Sequence, residues 1–462
     1  MKISGSKRPF RIFLFKALTA SLCLIQLSYS MDKPPESRPT AVVHPEWSHN
    51  AVIYEVNIRQ YTPEGTFNAL EQHLDRLKKM GVDILWLMPV NPIGQNNRKG
   101  SLGSYYSVRD YLSVDPGYGT MDEFRHLVNT IHELGMKVII DWVANHSSWD
   151  NPLVAEHPEW YTHDSSGNII SPVPDWTDVA DLNYDQPGLR EYMKNALIWW
   201  VKEAGIDGFR CDVAGMLPVS FWNDAVPEIK KVKHVFMLAE WDTPEMHDTA
   251  FDMTYGWDLY KTFNAIAKGN HSAVEIDSVL KKEDTLFASD AYRMRFTSNH
   301  DENSWNGTEY ERLEDAVKTF AVLTFTLPGM PLIYSGQEAA LKKRLKFFDK
   351  DTIRWDNFPL ADFYTQLIRL KKENKALYNG TSGGKLQKVH ASGTKDIYAF
   401  VRTKEENSVV IIANLSAHPQ ETEIQNNAVS GKFKEYFSGE ETSLERGKKF
   451  SLKPWEYKVY IK

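Results

Sequence analysis

The chain has 462 residues, of which 42% are hydrophobic, 25% charged and 12% aromatic, and its formal net charge is −7. This length predicts two or three domains, and the composition is that of a soluble globular protein. The acidic balance disfavours nucleic acid and anionic membrane surfaces as partners, because both repel an acidic protein. The high aromatic content is consistent with binding of flat apolar ligands such as sugar rings, although large cores also use aromatics.

The first 30 residues have the order of a secretory signal. Five basic residues precede an apolar run over 17–27, and Ser28-Tyr29-Ser30 follows. This order predicts cleavage after Ser30, a secreted or periplasmic protein, and a flexible Pro-rich leader over 31–46. The apolar run is too short for a stable membrane span.

The two cysteines carry little structural information. Cys23 lies in the signal segment, so the mature chain keeps only Cys211 and we expect no intrachain disulfide. The residue before Cys23 is Leu22, which is larger than lipid-attachment sites prefer, and this disfavours a lipoprotein anchor.

From Trp47 onward, strand-like runs alternate with helical ones. The predicted strands are 51–56, 83–88, 137–141, 208–212, 234–240, 251–255, 293–298 and 330–334. The predicted helices include 68–80, 121–134, 187–204, 311–326 and 361–375. Strands alternating with helices pair in parallel, so the pattern predicts an α/β fold, a (β/α)8 TIM barrel over 47–378. An open doubly wound sheet is the alternative, but no Gly-rich phosphate turn follows the first strand.

Two segments depart from this alternation. The stretch 147–184 is polar, rich in Pro and Trp, and long for a loop, so we expect a short inserted subdomain after the third strand. From 379 to 462 the runs are short, as at 397–401 and 408–412, and turn residues separate them. This pattern predicts a C-terminal all-β sandwich domain.

Charged and polar side chains follow four of the predicted strands. They are Asp141, Asn145 and His146; Arg210 and Asp212; Glu240, Trp241 and Asp242; and Asn299, His300 and Asp301. In a parallel barrel all strands end at one mouth, so we expect these groups to converge there. An isolated Arg-x-Asp is a structural ion pair in most proteins and a lone Asp is often a helix cap. The repetition favours a site.

The residue types at this mouth point to cleavage at an acetal carbon. No Ser-His-Asp spacing, Cys-His pair, phosphate loop or CxxC metal set is present. In acetal cleavage one carboxylate attacks the carbon while a carboxylic acid protonates the leaving oxygen. Neighbouring negative charges separate the proton affinities of the two groups. We expect Arg210 to keep Asp212 ionised as the nucleophile, which leaves Glu240 as the proton donor.

These four segments resemble the four signature regions of the α-amylase superfamily, glycoside hydrolase family 13. Residues 181–183 and 329–338 resemble the family's short extra motif and its last barrel strand, so the resemblance extends over about 47–462. It implies that Asp212 is the nucleophile, Glu240 the acid/base and Asp301 a third carboxylate that binds and distorts the sugar.

The resemblance also implies sugar-binding roles around these carboxylates. His146, Arg210 and His300 would hold sugar hydroxyls or orient Asp212. Tyr106 would stack on a sugar ring, although a core aromatic is the plainer interpretation, and Trp241 would line the leaving-group side.

Calcium is the metal that the family suggests. In many relatives the asparagine matched by Asn145 binds a structural calcium with oxygens of the inserted subdomain, where Asp175, Asp178 and Asp181 are available. The Lys-His that often completes that site is replaced here by Gly215-Met216, which weakens the expectation. The chemistry itself requires no cofactor.

The sequence therefore predicts a secreted retaining α-glucan hydrolase that cleaves α-1,4 bonds of starch or maltooligosaccharides. A 4-α-glucanotransferase, or an enzyme like cyclomaltodextrinase and neopullulanase, is the nearest alternative. A noncatalytic glycan-binding protein on the same scaffold is a remote one, because all three carboxylates are present. Nothing in the sequence indicates an oligomeric state.

Overall fold

The computed structural model describes residues 42–392 and 395–462. The signal segment 1–30, Cys23 and the first part of the leader lie outside the described residues. Within them, no helix combines the length and apolar character that a membrane crossing requires.

The end of the predicted leader, residues 42–46, belongs to the folded body. Val42 is buried, and His44 Nδ1 lies 2.8 Å from Asp252 Oδ1. The His44 ring also stacks on Tyr292, with ring centroids 4.0 Å apart. The folded region therefore begins before Trp47, because these contacts join residues too far apart in sequence for a local pattern to reveal.

Eight parallel strands close into the predicted barrel. The strands of the first 334 residues are β1 (Ile53–Val56), β2 (Ile84–Leu87), β3 (Lys137–Trp142), β4 (His146–Ser148), β5 (Val179–Asp181), β6 (Gly208–Cys211), β7 (Phe236–Ala239), β8 (Met253–Tyr255), β9 (Tyr292–Arg295) and β10 (Met330–Tyr334). All except β4 and β5 form the barrel, in the order β1-β10-β9-β8-β7-β6-β3-β2. Most residues of these strands are apolar because both faces of a barrel strand are covered. The exception is β9, whose Arg293 and Arg295 pair with the buried Glu283.

The strand register decides which strand ends meet. Asp141 on β3 pairs with Arg210 on β6, and Cys211 pairs with Ala239 on β7. The Glu240 amide donates to the Cys211 carbonyl at 2.9 Å. Asp212 and Glu240, each one residue beyond its strand, are therefore held at neighbouring positions of the mouth.

Helices surround the barrel and bury one face against it. They are α1 (Ile58–Tyr61), α2 (Phe67–Glu71), α3 (Leu74–Met80), α4 (Met121–Glu133), α5 (Leu153–Glu156), α6 (Pro187–Glu203), α7 (Val219–Val232), α8 (Trp257–Ala267), α9 (Val274–Leu286), α10 (Glu309–Leu313), α11 (Val317–Thr326) and α12 (Ala361–Glu373). Helix α5 belongs to the inserted segment. The predicted helix 68–80 is two helices, α2 and α3. The helix predicted over 311–326 is also two, because Glu314 adopts a left-handed φ of 50° that ends α10.

The inserted segment is anchored by β4 and β5, which pair antiparallel from His146–Asp181 to Ser148–Val179. After α12 the chain forms β11 (Leu386–Lys388), β12 (Ile397–Lys404), β13 (Asn407–Asn414), β14 (Gln420–Glu423), β15 (Gly431–Glu435), β16 (Glu441–Leu444), β17 (Lys449–Leu452) and β18 (Tyr457–Ile461). Six of them form an antiparallel sheet, β11-β12-β13-β18-β15-β16, and β14 pairs with β17. A separate apolar cluster lies between the two sheets, as expected for a small β-domain.

Candidate functional site

A cavity of about 410 Å³ opens at the carboxyl ends of the barrel strands. Seven of the residues singled out in the sequence line it: Tyr106, His146, Asp212, Glu240 and Asp301, together with Asp175 and Asp178 of the inserted segment. They come from the ends of different strands, from the loop after β2 and from the inserted segment, so the fold brings together groups that are distant in the chain. This is the mouth at which barrel enzymes carry their active sites.

One arginine joins the carboxylates behind this cavity. Arg210 is fully buried and donates from Nη1 to Asp141 Oδ1 at 2.9 Å and to Asp212 Oδ1 at 3.1 Å. Its Nη2 lies 2.9 Å from Glu240 Oε1. Burial opposes the charge, but the surrounding carboxylates hold the pKa of Arg210 well above its usual value. The guanidinium is therefore a fixed positive charge that positions three carboxylates.

Glu240 is positioned from a second side by the backbone. The Val213 amide donates to Glu240 Oε2 at 2.8 Å. Val213 has a φ of 37°, a left-handed conformation that is unusual for a β-branched residue. Backbone strain of this kind is concentrated at functional sites, and here it points an N–H at the carboxylate predicted to be the acid.

The burial of Asp212 works against the ionised form that its predicted role requires. Burial and the charge of Glu240 raise the pKa of Asp212 well above its usual range, and Arg210 compensates only in part. Burial likewise raises the pKa of Asp141 to about 6. Arg210 is therefore the group that favours the ionised form of Asp212, which attack on an acetal carbon requires.

His300 links the third carboxylate to a residue that the sequence analysis overlooked, Glu55. His300 Nδ1 donates to Glu55 Oε1 at 2.5 Å, and Nε2 lies 3.2 Å from Asp301 Oδ2 and 2.7 Å from the Tyr106 hydroxyl. Burial opposes protonation, but Asp301 and Glu55 together hold the pKa of His300 well above its usual value. Burial also opposes ionisation of Asp301, yet the His300 charge lowers its pKa. His300 is thus an imidazolium between two carboxylates.

Tyr106 does more than stack. Its hydroxyl donates to Asp141 Oδ2 at 3.1 Å, so one hydrogen-bonded chain runs from Glu55 through His300 and Tyr106 to Asp141 and Arg210. A charged residue inside the apolar first strand was the signal that could have identified Glu55, since the same signal identified the other strand ends.

His146 lines the cavity as a neutral imidazole, because burial lowers its pKa to about 4. The Asn145 amide nitrogen lies 3.2 Å from His146 Nδ1. Of the acidic residues considered for calcium, Asp178 is paired with the Lys99 ammonium at 3.0 Å, and the Asp175 carbonyl accepts from the same ammonium at 2.5 Å. Among the described residues no three His, Cys, Asp or Glu side chains converge as a metal group. Asp175 and Asp178 are thus engaged by Lys99, and the calcium expected at Asn145 stays a prediction.

Some of the residues singled out lie outside the cavity wall. Arg210 and His300 are buried behind it and act through Asp212, Glu240 and Asp301. Trp241 packs its indole against Gly215 and is not among the residues that line the cavity.

Several lining residues carried no recognisable signal in the sequence. They are Lys99, Trp176, Trp305, Phe347 and Phe348. They lie in loops without periodicity, so only the fold brings them to the mouth. Trp305 is 52% exposed, which is high for so large an apolar side chain, and aromatic faces at a polar cleft suit sugar rings.

Two family models match this chain. The model of the α-amylase catalytic domain matches residues 46–176 and 156–276, and the model of the maltogenic amylase C-terminal domain matches residues 386–459. Together they cover the first six barrel strands and most of the C-terminal β-domain.

Individual proteins show the same likeness. The crystal structure of the maltogenic α-amylase AmyB from Thermotoga neapolitana superposes with a TM-score of 0.82 at 31% identity, covering 89% of this chain and 98% of that one. The α-amylase MalA of Haloarcula japonica is 28% identical over 392 residues, 81% of this chain and 57% of MalA. A cyclomaltodextrinase from Bacillus sp is 24% identical over 425 residues, 80% of this chain and 73% of that protein. The chain thus spans little more than half the length of MalA.

Proposed function

The chain belongs to the α-amylase family of glycoside hydrolases, and we propose on this basis that it is a secreted retaining hydrolase of α-1,4-linked glucose oligomers or starch fragments. The observation that carries the proposal is the meeting of Asp212 and Glu240 on one buried guanidinium, with Asp301 in the same cavity. Two carboxyl groups that share one arginine are close together. The retaining course, in which one carboxylate attacks the sugar directly and the pair is separated by about 5 Å, is the one that the α-amylase family implies.

In the first step Asp212 attacks the anomeric carbon as the glycosidic bond breaks. Glu240 gives its proton to the leaving oxygen, so a glycosyl ester and a shortened sugar form. In the second step Glu240 accepts a proton from water, the resulting hydroxide equivalent attacks the same carbon, and Asp212 is released. Arg210 contacts both Asp212 and Glu240, so it stabilises whichever of the two is ionised at each stage.

The neighbouring groups would bind the reacting sugar. Asp301, ionised beside the His300 imidazolium, is an acceptor for sugar hydroxyls. His146 lines the same cavity as a neutral imidazole, with its Nδ1 already 3.2 Å from the Asn145 amide nitrogen. Tyr106, held by its hydroxyl, presents its ring to the cavity. A structural calcium at Asn145 stays an expectation from the family, and no step is assigned to it.

The nearest alternative is transfer of the glycosyl group to a sugar acceptor, or action on cyclic dextrins. The likeness to a cyclomaltodextrinase and the maltogenic type of C-terminal domain favour the second of these. The noncatalytic alternative is disfavoured because Asp212, Glu240 and Asp301 all line one cavity.

Digestion of maltoheptaose, starch, pullulan and cyclodextrin, with product sizing, tests the proposal. A hydrolase raises the number of reducing ends. Formation of longer oligomers without such a rise would contradict the hydrolase assignment and favour glycosyl transfer to a sugar acceptor. Asp212→Asn should abolish turnover and keep saccharide binding. Sequencing of the exported protein's N-terminus tests the proposed cleavage after Ser30.

A further inference from the structure

The cavity is bordered at one side by a bridge between its two walls. The bridge consists of the loop 97–104 after β2 and of the ion pair that Lys99 of this loop makes with Asp178. The Lys99 ammonium pairs with Asp178 Oδ1 at 3.0 Å and donates to the Asp175 carbonyl at 2.5 Å, so it holds the inserted subdomain. It also lies 5.9 Å from the centroid of the Phe348 ring, on the loop after β10.

Backbone contacts fix the other end of this bridge. The Leu102 amide donates to the Phe348 carbonyl at 3.0 Å. The Ser101 amide and hydroxyl both donate to Asp349 Oδ1, at 2.9 and 2.7 Å. Gly100, with a φ of 62°, lets the loop pass close to Phe348, since a Cβ there would come within 2.5 Å of the Phe348 Cβ. Two walls that belong to different loops are thus tied together by one short segment.

The position of the bridge relative to the catalytic groups identifies the side that it closes. An acid that protonates the leaving oxygen lies toward the leaving group, so Glu240, with Val213 beside it, marks that side. A row of contacts connects the third carboxylate, Asp301, to Lys99 instead. Trp305 lines the same cavity as Asp301, its ring lies 5.8 Å from that of Phe348, and the Phe348 ring lies 5.9 Å from the Lys99 ammonium.

We propose that the Lys99–Asp178 bridge closes the cleft on the side opposite the leaving group and makes the enzyme select the non-reducing ends of short α-glucans. The inference rests on the proposed function and refines its substrate class. The Lys99 ammonium and the Asp178 carboxylate both line the cavity, and they are a donor and an acceptor for the hydroxyls of a terminal glucose. A chain that continued past this point would have to displace the ion pair.

The test compares two chromogenic maltoheptaosides, one free and one carrying a blocking group on the 4- and 6-hydroxyls of its non-reducing end. Wild-type enzyme should cleave the blocked substrate at least about tenfold more slowly, the cost of losing one charged hydrogen bond. Lys99→Ala and Asp178→Asn should reduce this preference and broaden the product sizes. Lys231→Ala, an exposed lysine of α7 that pairs with a neighbouring glutamate, is the control.

The outcomes separate this inference from the proposed function. The proposed role of the bridge is contradicted if the wild type cleaves both substrates equally. It is also contradicted if both bridge variants keep the wild-type preference and the wild-type melting temperature. Failure of the wild type to cleave the free substrate overturns the proposed hydrolase instead. In that case calorimetry of the Asp212→Asn variant with free and blocked maltotetraose still decides the inference, and equal affinities would contradict it.

Discussion

Replacement of Glu55 by glutamine removes a buried charge and keeps the shape of the side chain. Glu55 is fully buried, and its Oε1 accepts from His300 Nδ1 at 2.5 Å. Glutamine can still accept that hydrogen bond through its amide oxygen. The substitution therefore isolates the electrostatic part of the pair.

The size of the effect follows from the distance between the charges. Two unit charges about 4 Å apart at an effective dielectric constant of about 20 interact by about 4 kcal/mol, or roughly three pKa units. Asp301 remains beside His300 in the variant, and the surroundings relax. We therefore expect the pKa of His300 to fall by about one to two units, which corresponds to about 1.4 to 3 kcal/mol.

The direction of the pH dependence follows from the raised pKa of His300 in the folded protein. Protonation of this histidine stabilises the fold fully below its unfolded pKa of about 6.5, and the contribution is lost as the pH rises through the folded value. Urea unfolding at about pH 6 should thus show the full loss in Glu55→Gln, and the difference from wild type should shrink at alkaline pH. In parallel, the alkaline limb of kcat/KM on a chromogenic maltooligosaccharide should move to lower pH.

An exposed pair of the same kind provides the control. Glu71 lies 3.3 Å from His126, whose side chain is 66% exposed, so Glu71→Gln should change stability by less than about 1 kcal/mol. If Glu55→Gln behaves like Glu71→Gln in both unfolding and the pH profile, the reasoning about the His300 imidazolium is refuted.

Three further changes test other parts of the structure. Glu240→Gln should lower turnover of natural α-glucans by at least about 100-fold and spare activated aryl glycosides, which need no proton, as compared by kcat on both substrates. Arg402→Met should cost about 3 kcal/mol or more in urea unfolding, because the buried Arg402 donates to the carbonyls of residues 326, 327, 378 and 384, between barrel and C-terminal domain. Gly208→Ala should cost at least about 3 kcal/mol, because a Cβ would lie 1.9 Å from the Phe236 carbonyl oxygen.

Each of these has an outcome that would contradict it. Equal losses on both substrate types would argue against Glu240 as the acid. Lys404→Met removes an exposed lysine that also donates to a carbonyl, and a loss as large as that of Arg402→Met would show that burial is irrelevant. Gly447 also has a positive φ but has open space around it, so an equal cost of Gly447→Ala would assign the Gly208 effect to backbone conformation alone.

The sequence identified those parts of the site that lie at strand ends. Strand periodicity is local, and a charged residue directly after an apolar run is visible without any tertiary contact. Asp212, Glu240 and Asp301 could thus be found together, and the barrel rule predicted that they meet. The sixth predicted strand, near 251–255, has a weak pattern and was recognisable only because a barrel needs eight strands. It forms as Met253–Tyr255.

Residues whose roles depend on a distant partner could not be assigned in this way. Lys99, Phe348 and Trp305 stand in aperiodic loops, and nothing near them in the sequence indicates that they share a cavity. The pairing of Asp178 with the Lys99 ammonium shows the same limit, because nothing near either residue in the sequence indicates it.

The sequence by itself determined the barrel, the C-terminal β-domain and the carboxylates at the mouth, because alternating strands, helices and strand-end charges are encoded in neighbouring residues. Only the tertiary structure decided how those charges are balanced. Glu55 and His300 are 245 residues apart, and their contact, together with the burial of Asp212, sets which groups carry protons. Burial and long-range charge determine proton affinity, and neither exists until the chain has folded.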